Sequence, residues 1–254
     1  RAHALAVGAF RDLGAHGARI GIALDLHPVY PWTGGQADRE AAWRCDGHLN
    51  RWFLDPVFKG VYPADMLALY GEHHVAPRVR EGDLEALAAH PVDFLGVNYY
   101  FPNRAFASDA GGLLGYENGP IGNRRQTEMG WEAYPDGLED LLLRLRDDYG
   151  DPALFITENG AAFKDQRVEN GQVQDDDRIE YLDGHLRAAR RAIDRGVKLQ
   201  GYFLWSLLDN FEWSFGYSRR FGITHVDFAT QARRWKKSAG WYQRVIATNG
   251  AVLG

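Results

Sequence analysis

Glu158 follows directly on a short apolar run and is itself followed by Asn159 and Gly160, where the glycine lets the chain turn sharply. A carboxylate at the end of a buried strand is held on a rigid element, so it can serve as a nucleophile or as a general acid or base. The structural alternative is a helix cap or one partner of a salt bridge. Taken alone, Glu158 leaves both interpretations open.

Tyr100 closes a second apolar run, directly after Asn98 and Tyr99. A phenol in that position can donate a hydrogen bond to a neighbouring carboxylate and keep it ionised. A buried aromatic ring with a satisfied hydroxyl is the alternative interpretation.

Trp205 and Trp213 bracket the carboxylate of Glu212 on the segment that follows a third run. The face of a tryptophan ring can stack on the C–H face of a pyranose, while a carboxylate can accept hydrogen bonds from two adjacent hydroxyls. Packing under a long loop is the alternative. For this segment we favour sugar binding.

Four apolar runs must position these residues. Near-continuous apolar runs of this length are typical of strands buried on both faces, as in a parallel sheet. Polar residues at the C-terminal ends of such strands face the ligand site, so the residues after the runs are the candidates. The predicted strands are Arg19–Leu26, Val92–Tyr99, Leu154–Thr157 and Leu199–Leu207.

Helical patterns lie between the runs, and this alternation predicts βα units with right-handed crossovers. The clearest helix is Asp177–Arg195, with Asp177 and Glu180 placed for a capping box and Gly196 for the C′ position. Residues Arg1–Arg11 are predicted to form a helix that begins without a cap, so a segment upstream of it is expected. The other predicted helices are Pro135–Tyr149, Trp235–Ile246, Leu49–Leu54 and Ala64–Tyr70.

The composition limits the class of protein. The 254 residues are 45% hydrophobic and 25% charged, which excludes a disordered chain. The net charge of −5 gives nucleic acid or an anionic membrane little to bind, and no apolar run reaches the roughly 18 residues of a membrane span. The single Cys45 excludes an internal disulfide and suits a reducing, cytoplasmic location. Because no Pro-, Gly- and Ser-rich linker interrupts the chain, residues 1–254 are expected to form one domain.

Motifs for dinucleotide, phosphate or serine-hydrolase chemistry are absent from the sequence. His73 and His74 are adjacent, but without an H-E-x-x-H motif or a cysteine pair they do not predict a zinc site. We therefore expect neither a metal nor an organic cofactor.

Five motifs give the sequence a specific resemblance. It resembles the C-terminal half of glycoside hydrolase family 1, the β-glucosidase family, with the motifs in the family's order and spread over nearly the whole chain. The motifs are DPVFKGVYPADML (55–67), DFLGVNYY (93–100), MGWEAYPDGL (129–138), LFITENG (154–160) and GYFLWSLLDNFEWSFGYSRRFGITHVDF (201–228).

This resemblance implies an α/β fold of the (β/α)8 TIM-barrel type, with this chain supplying about four βα units, the barrel's fifth to eighth strands. It implies a retaining mechanism in which Glu158 is the nucleophile and Tyr100 orients it. The expected substrate is an unphosphorylated β-glycoside, because phospho-glycosidase relatives carry a different loop in place of Glu212. The resemblance also implies five residues that line the sugar site: Asn98, Trp205, Glu212, Trp213 and Phe221.

The family's acid/base glutamate, in a T-x-N-E-P motif after the fourth strand, does not occur in this sequence. A retaining glycosidase needs two carboxyl groups about 5–5.5 Å apart. Glu158 alone could still attack a sugar whose leaving group needs no proton, but the glycosyl-enzyme should then stall. Asp25 and Glu128 lie at or near strand ends, yet neither stands in an acid/base motif.

A half barrel has two unpaired parallel edges, which favour pairing with another chain. We therefore expect self-association or a separate N-terminal half-barrel as partner. Two hypotheses for the function follow: the nucleophile-bearing half of a β-glucosidase-type enzyme, or a truncated, non-catalytic sugar-binding or scaffold protein. The intact site residues favour the first hypothesis.

Overall fold

Four parallel strands, in the order β1, β3, β6 and β9, form the main sheet of the chain. The computed structural model describes residues 1–14 and 17–253. In chain order the strands are β1 (Gly21–Asp25), β2 (Val29–Pro31), β3 (Phe94–Asn98), β4 (Asn103–Ala107), β5 (Tyr116–Asn118), β6 (Leu154–Asn159), β7 (Val168–Glu169), β8 (Gln172–Val173), β9 (Leu199–Leu204), β10 (Thr224–Val226) and β11 (Arg233–Trp235).

The four predicted strands correspond to the four strands of this sheet. Three of them agree with the prediction to within two residues at each end, whereas β9 ends at Leu204 rather than Leu207. The smaller sheets were not predicted. They comprise β2, β4 and β5, the pair β7 and β8, and the pair β10 and β11.

The helices accompany the strands as the alternating pattern predicts. They are α1 (Ala2–Asp12), α2 (Gln36–Asp46), α3 (Trp52–Phe58), α4 (Ala64–Glu72), α5 (Asp83–Ala89), α6 (Pro135–Asp148), α7 (Asp176–Asp194) and α8 (Lys237–Ala247). A π-helical turn at Gly47–Arg51 joins α2 to α3, so the predicted short helix Leu49–Leu54 is part of a longer helical segment. Neither α2 nor α5 was predicted. Among the described residues, no helix has the length and apolar character that crossing a membrane requires.

The N-terminus of α7 differs from the predicted capping box. No side chain caps its first turn, and Asp177 and Glu180 both form ion pairs with Arg125 from a neighbouring loop. The capping prediction was therefore wrong, because the two carboxylates make a tertiary contact instead. At the other end, Gly196 adopts a φ of 93°, which confirms the predicted C′ glycine.

The core lies between one face of the main sheet and the helices α6 and α7. Alternate residues of the central strands, such as Val97 and Ile156, project onto these helices and are fully buried beside Leu141 and Ala188. Burial of a Val, Leu or Ile side chain contributes about 1.5–3 kcal/mol. This packing holds the strand ends, and the side chains that follow them, on a rigid support.

The opposite face of the main sheet, which we call the inner face, carries Phe94, Phe155 and Phe203. Arg19 lies over the ring of Phe155 at 5.3 Å, but Phe203 on β9 is 58% exposed. The predicted burial of the strands on both faces is therefore not met at β9. The described residues leave this part of the inner face uncovered, and β1 and β9 are the edges of the sheet.

Candidate active site

A cleft of about 570 Å³ opens at the C-terminal ends of the main-sheet strands. The register of the sheet puts Asp25, Asn98 and Glu158 in one row across β1, β3 and β6. All seven predicted site residues line this cleft. Its lining residues are Asp25, His27, Asn98, Tyr100, Phe101, Trp131, Glu158, Trp205, Asn210, Phe211, Glu212, Trp213 and Phe221.

A β-bulge in β6 turns Glu158 toward the cleft. Val97 pairs with Ile156 and Asn98 with Glu158, so Thr157 is an extra residue in the strand. Ile156 faces the helices, and strict alternation along the strand would turn Glu158 to the same side. The bulge reverses that alternation and places the carboxylate on the inner face.

Tyr100 holds the Glu158 carboxylate in place. Its hydroxyl donates a 2.6 Å hydrogen bond to Glu158 Oε2, a length typical of a bond to a charged acceptor. Burial, the hydrogen bond and the negative charge of Glu158 raise the pKa of Tyr100 far above its ordinary value. The phenol therefore keeps its proton and remains a donor to Glu158.

Asn98 lies between the two carboxylates of the row. Thr157 Oγ1 donates a 2.6 Å hydrogen bond to Asn98 Oδ1. Because that bond fixes the carbonyl end of the side chain, the amide NH2 is the group that can donate to a bound ligand.

Trp205, Glu212 and Trp213 lie together at the β9 end of the cleft. Burial and the negative charge of Glu158 raise the pKa of Glu212 above its usual value. Because the charge of Glu158 acts on Glu212, the two carboxylates lie in one partly desolvated space. Trp213 is 83% exposed, so its ring is free to contact a ligand at the mouth.

A buried ionic cluster anchors the loop that carries Glu212. Asp209 accepts hydrogen bonds from Lys236 Nζ at 2.8 Å, Arg220 at 2.6 Å and the amide of Gly222 at 3.0 Å. Burial alone would raise the pKa of Asp209, but the charges of Lys236 and Arg220 hold it below its ordinary value. The loop is therefore fixed by charge-assisted bonds.

Asp165, Asp209 and His225 have the spacing of a metal site, and within residues 1–14 and 17–253 they form the one such group. The ammonium of Lys236 lies 2.5 Å from Asp165 and 2.8 Å from Asp209. Lys236 is fully buried, so a cation of the protein itself already neutralises these carboxylates.

Several residues of the cleft were not predicted. Phe101 and Trp131 stack with ring centroids 4.8 Å apart, and Trp131 lies 5.4 Å from Tyr100. Trp131 stands inside the MGWEAYPDGL motif, so the resemblance did contain a signal for it. Of the two carboxylates set aside for lack of a motif, Asp25 lines the cleft, whereas Glu128 pairs with Arg219 at 3.7 Å.

The charge of the cleft indicates what it can bind. Asp25, Glu158 and Glu212 bring three carboxylates, and none of the described lining residues is a lysine or an arginine. The three carboxylates would repel a phosphate or another anion. A neutral, polyhydroxylated ligand fits, because carboxylates accept from hydroxyls and the aromatic rings offer apolar faces.

Known proteins resemble this chain in sequence and in structure. A sequence profile of glycosyl hydrolase family 1 matches residues 1–251. Beta-glucosidase A of Acetivibrio thermocellus is 45% identical over 250 residues, covering 98% of this chain and 55% of that protein. A bifunctional beta-D-glucosidase/beta-D-fucosidase of Bifidobacterium breve is 43% identical over 233 residues, covering 85% of this chain and 50% of that protein.

Solved structures of β-glucosidases also superpose closely on this chain. A β-glucosidase from Exiguobacterium marinum superposes with a TM-score of 0.91 at 45% identity, covering 98% of this chain and 56% of that one. The family 1 β-glucosidase from Thermotoga maritima gives a TM-score of 0.91 at 38% identity, covering 98% and 54%. These relatives are TIM barrels, and the chain spans about half of their length. On the profile match across residues 1–251, the chain belongs to glycosyl hydrolase family 1.

Proposed function

We propose that this chain carries the nucleophile and sugar site of a retaining β-glycosidase of the β-glucosidase type. The observation that carries the proposal is the hydrogen bond from Tyr100 to Glu158, inside a cleft with aromatic walls whose described lining residues include no lysine or arginine. The proposed substrates are terminal, unphosphorylated β-D-glycosides.

The proposed reaction has two displacements at the anomeric carbon. Glu158 attacks that carbon as the leaving group departs, which forms a covalent glycosyl-enzyme, and water then releases the sugar. Tyr100 keeps its proton and positions Glu158 throughout. Glu212 and Trp213 bind hydroxyls at the far end of the sugar ring, Trp205 forms its floor, and Asn98 and Phe221 complete the site.

The chain is proposed to be one domain, residues 1–254, corresponding to the fifth to eighth strands of a (β/α)8 barrel. The T-x-N-E-P motif of the family's acid/base glutamate does not occur in this sequence. A separate N-terminal half-barrel or a second copy of this chain would cover the inner face and pair with β1 and β9. A cytoplasmic location, on the strength of the single buried Cys45, belongs to the same proposal.

Covalent labelling tests the function. Dinitrophenyl 2-deoxy-2-fluoro-β-glucoside has a leaving group that needs no proton, so it reports on the nucleophile alone. We expect one sugar per chain by intact mass, mapped by peptide digestion to Glu158, and no label on a Glu158→Gln variant. Absence of an adduct, even with an N-terminal half-barrel added, would favour the non-catalytic sugar-binding or scaffold protein.

Sedimentation velocity tests the proposed association with a second copy of the chain or with an N-terminal half-barrel. Because Phe203 is 58% exposed on the inner face, we expect the chain to associate with itself or with the N-terminal half. A Phe203→Glu variant should associate less, because a charge would be buried in the contact. A chain that stays monomeric at 28.6 kDa and ignores the N-terminal half would contradict this part of the proposal.

A further inference from the structure

A second, smaller cavity of about 190 Å³ adjoins the cleft. Phe101 and Trp131 line both cavities, so their stacked rings form a wall that the two share. We call the smaller cavity the side pocket. It is lined further by residues of β4, of the segment after β5 and of the MGWEAYPDGL motif, and none of its lining residues is among the seven predicted site residues.

The side pocket carries an excess of positive charge. Its charged lining residues are two arginines, Arg104 and Arg124, and one carboxylate, the buried Glu132. Because an arginine keeps its proton, two guanidinium groups against one carboxylate leave one positive charge. The side pocket therefore has the opposite sign to the cleft, whose described lining residues bring three carboxylates and no lysine or arginine.

Glu132 satisfies Arg104 but leaves Arg124 with donors to spare. Arg104 makes a bidentate contact with Glu132, at 2.9 and 3.0 Å. Arg124 Nε lies 3.1 Å from the same carboxylate without the geometry of a hydrogen bond. Among the residues that the structure describes, Arg124 makes one hydrogen bond, from Nη2 to the carbonyl oxygen of Pro120 at 2.9 Å. Most of its N–H groups are therefore available to water or to a ligand.

Asn103 adds a second donor to the same pocket. The residue is 5% exposed, and its Oδ1 accepts a 2.7 Å hydrogen bond from Asn118. That bond fixes the carbonyl end of the Asn103 side chain, so the NH2 group is the end that can donate. Within residues 1–14 and 17–253 this NH2 group has no hydrogen-bond partner, although Asn103 lines the pocket.

The surrounding fold holds both donors in place. The backbone amide of Asn103 donates to the carbonyl oxygen of Pro28 at 2.9 Å, where β4 runs beside β2. The guanidinium of Arg124 lies 5.6 Å from the ring centre of Trp32. Trp32 in turn packs so closely on Gly119 that a Cβ there would lie 2.1 Å from its ring. The side pocket is thus bounded by a sheet strand and by packed aromatic rings.

The leaving group of a bound glycoside would extend toward the shared wall. The proposed sugar-binding residues Trp205, Glu212 and Trp213 follow β9, on one side of Glu158, whereas Phe101 follows β3 on the other side. A sugar seated toward β9 therefore directs its leaving group over the rings of Phe101 and Trp131, which offer apolar faces. The side pocket lies beyond those rings.

We propose that the side pocket binds a carboxylate carried on the leaving group of the glycoside. The inference rests on the proposed function. The uncharged sugar occupies the acidic cleft, an aromatic linker crosses the shared wall, and Arg124 and Asn103 donate to the carboxylate. A carboxylate matches the planar fork of a guanidinium and forms charge-assisted hydrogen bonds with it. The substrate class is then the β-glucosides of hydroxylated aromatic acids.

Calorimetric titration with a matched pair of glycosides tests the side pocket. The pair is 4-(2-carboxyethyl)phenyl β-D-glucoside and its primary amide, which has nearly the same shape and no charge. We expect the acid to bind about 10-fold more tightly, the lower end for hydrogen bonds to a charged group, because the side chain of Arg124 is 35% exposed. Arg124→Gln should abolish this preference and leave the Kd of the amide unchanged, whereas Arg124→Lys should retain part of it. Arg233→Gln, which removes the same charge from an exposed strand, is the control.

Three outcomes would overturn the inference. They are equal affinity for the acid and the amide, a preference that survives in Arg124→Gln, and free 3-phenylpropanoate binding as tightly as the acid glycoside while phenyl β-D-glucoside saturates the chain. The last outcome would assign the side pocket to a free carboxylate. Failure of phenyl β-D-glucoside itself to bind the unaltered chain would instead overturn the proposed sugar site, and this inference with it.

Discussion

Replacement of Tyr100 by phenylalanine should slow the second chemical step more than the first. In the proposed glycosyl-enzyme, Glu158 is an uncharged ester, and its negative charge returns as the sugar leaves. The 2.6 Å hydrogen bond from Tyr100 therefore strengthens toward the transition state of release. A hydrogen bond to a charged group is worth about 1.5–3 kcal/mol, and each 1.36 kcal/mol is tenfold in rate. The expected loss is about 10- to 150-fold.

The lifetime of the fluorosugar adduct measures this effect. The adduct is formed on each chain, excess reagent is removed, azide is added, and decay of the adduct is followed by intact mass. Azide needs no proton transfer, so the decay reports on Glu158 as a leaving group alone. Tyr30→Phe is the matched control, because Tyr30 donates a 2.5 Å bond to Asp140, outside the cleft. Equal decay in Tyr100→Phe and the unaltered chain would refute the argument.

Four further substitutions test other parts of the site. Because the folded pKa of Glu212 lies above its unfolded value, the ionisation of Glu212 at neutral pH opposes folding. Glu212→Gln should therefore raise the free energy of unfolding at pH 7, while it raises KM for glucosides. A lower free energy of unfolding would contradict this. Lys236→Met removes the buried cation between Asp165 and Asp209 and should cost about 3–5 kcal/mol in urea unfolding. In the unaltered chain the lowered pKa of Asp209 adds stability at pH values above the unfolded pKa of about 3.9, and this stability is lost as the pH falls through the folded pKa. Asp209→Asn should therefore make the free energy of unfolding depend less on pH in the acid range. Gly160→Ala places a Cβ 1.7 Å from the carbonyl oxygen of Trp205, so it should lower both the melting temperature and affinity for sugar; unchanged affinity would contradict the contact.

The main sheet could be predicted because its signal is local. Strands such as β3 and β6 are short apolar runs between turn residues. The helix α6 buries leucines at helical spacing, and α7 buries Leu182 and three alanines in the same way. The helix α2 gave no such signal, because its buried residues include the small Ala41, Ala42 and Cys45 in a strongly polar segment. Burial of small residues contributes little to a periodic pattern, although it permits close packing.

The residue types in the site and the hydrogen bond from Tyr100 to Glu158 could be predicted from the sequence, but the other contacts in the cleft could not. The residues after the strands lie in one cleft because parallel strands end at one edge of the sheet. Gly160 was interpreted as a turn residue, whereas its role is to let the carbonyl of Trp205 approach its Cα. The Nδ1 atom of His27 lies 3.1 Å from the backbone carbonyl oxygen of Phe101, 74 positions away, so no local pattern could indicate this contact.

The orientation of Glu158 shows most clearly why a strand pattern alone is insufficient. Counted by twos from the buried Ile156, Glu158 belongs to the helix-facing side, where a carboxylate would be buried among leucines at high cost. One extra residue, Thr157, turns Glu158 into the cleft, and Thr157 then fixes Asn98 through its hydroxyl. Asn159 returns to the helix side, where Tyr202 donates to it at 2.6 Å. The same bulge thus exposes the proposed nucleophile and anchors the strand on both sides of it, so the packing of the main sheet and the placement of the proposed nucleophile depend on each other.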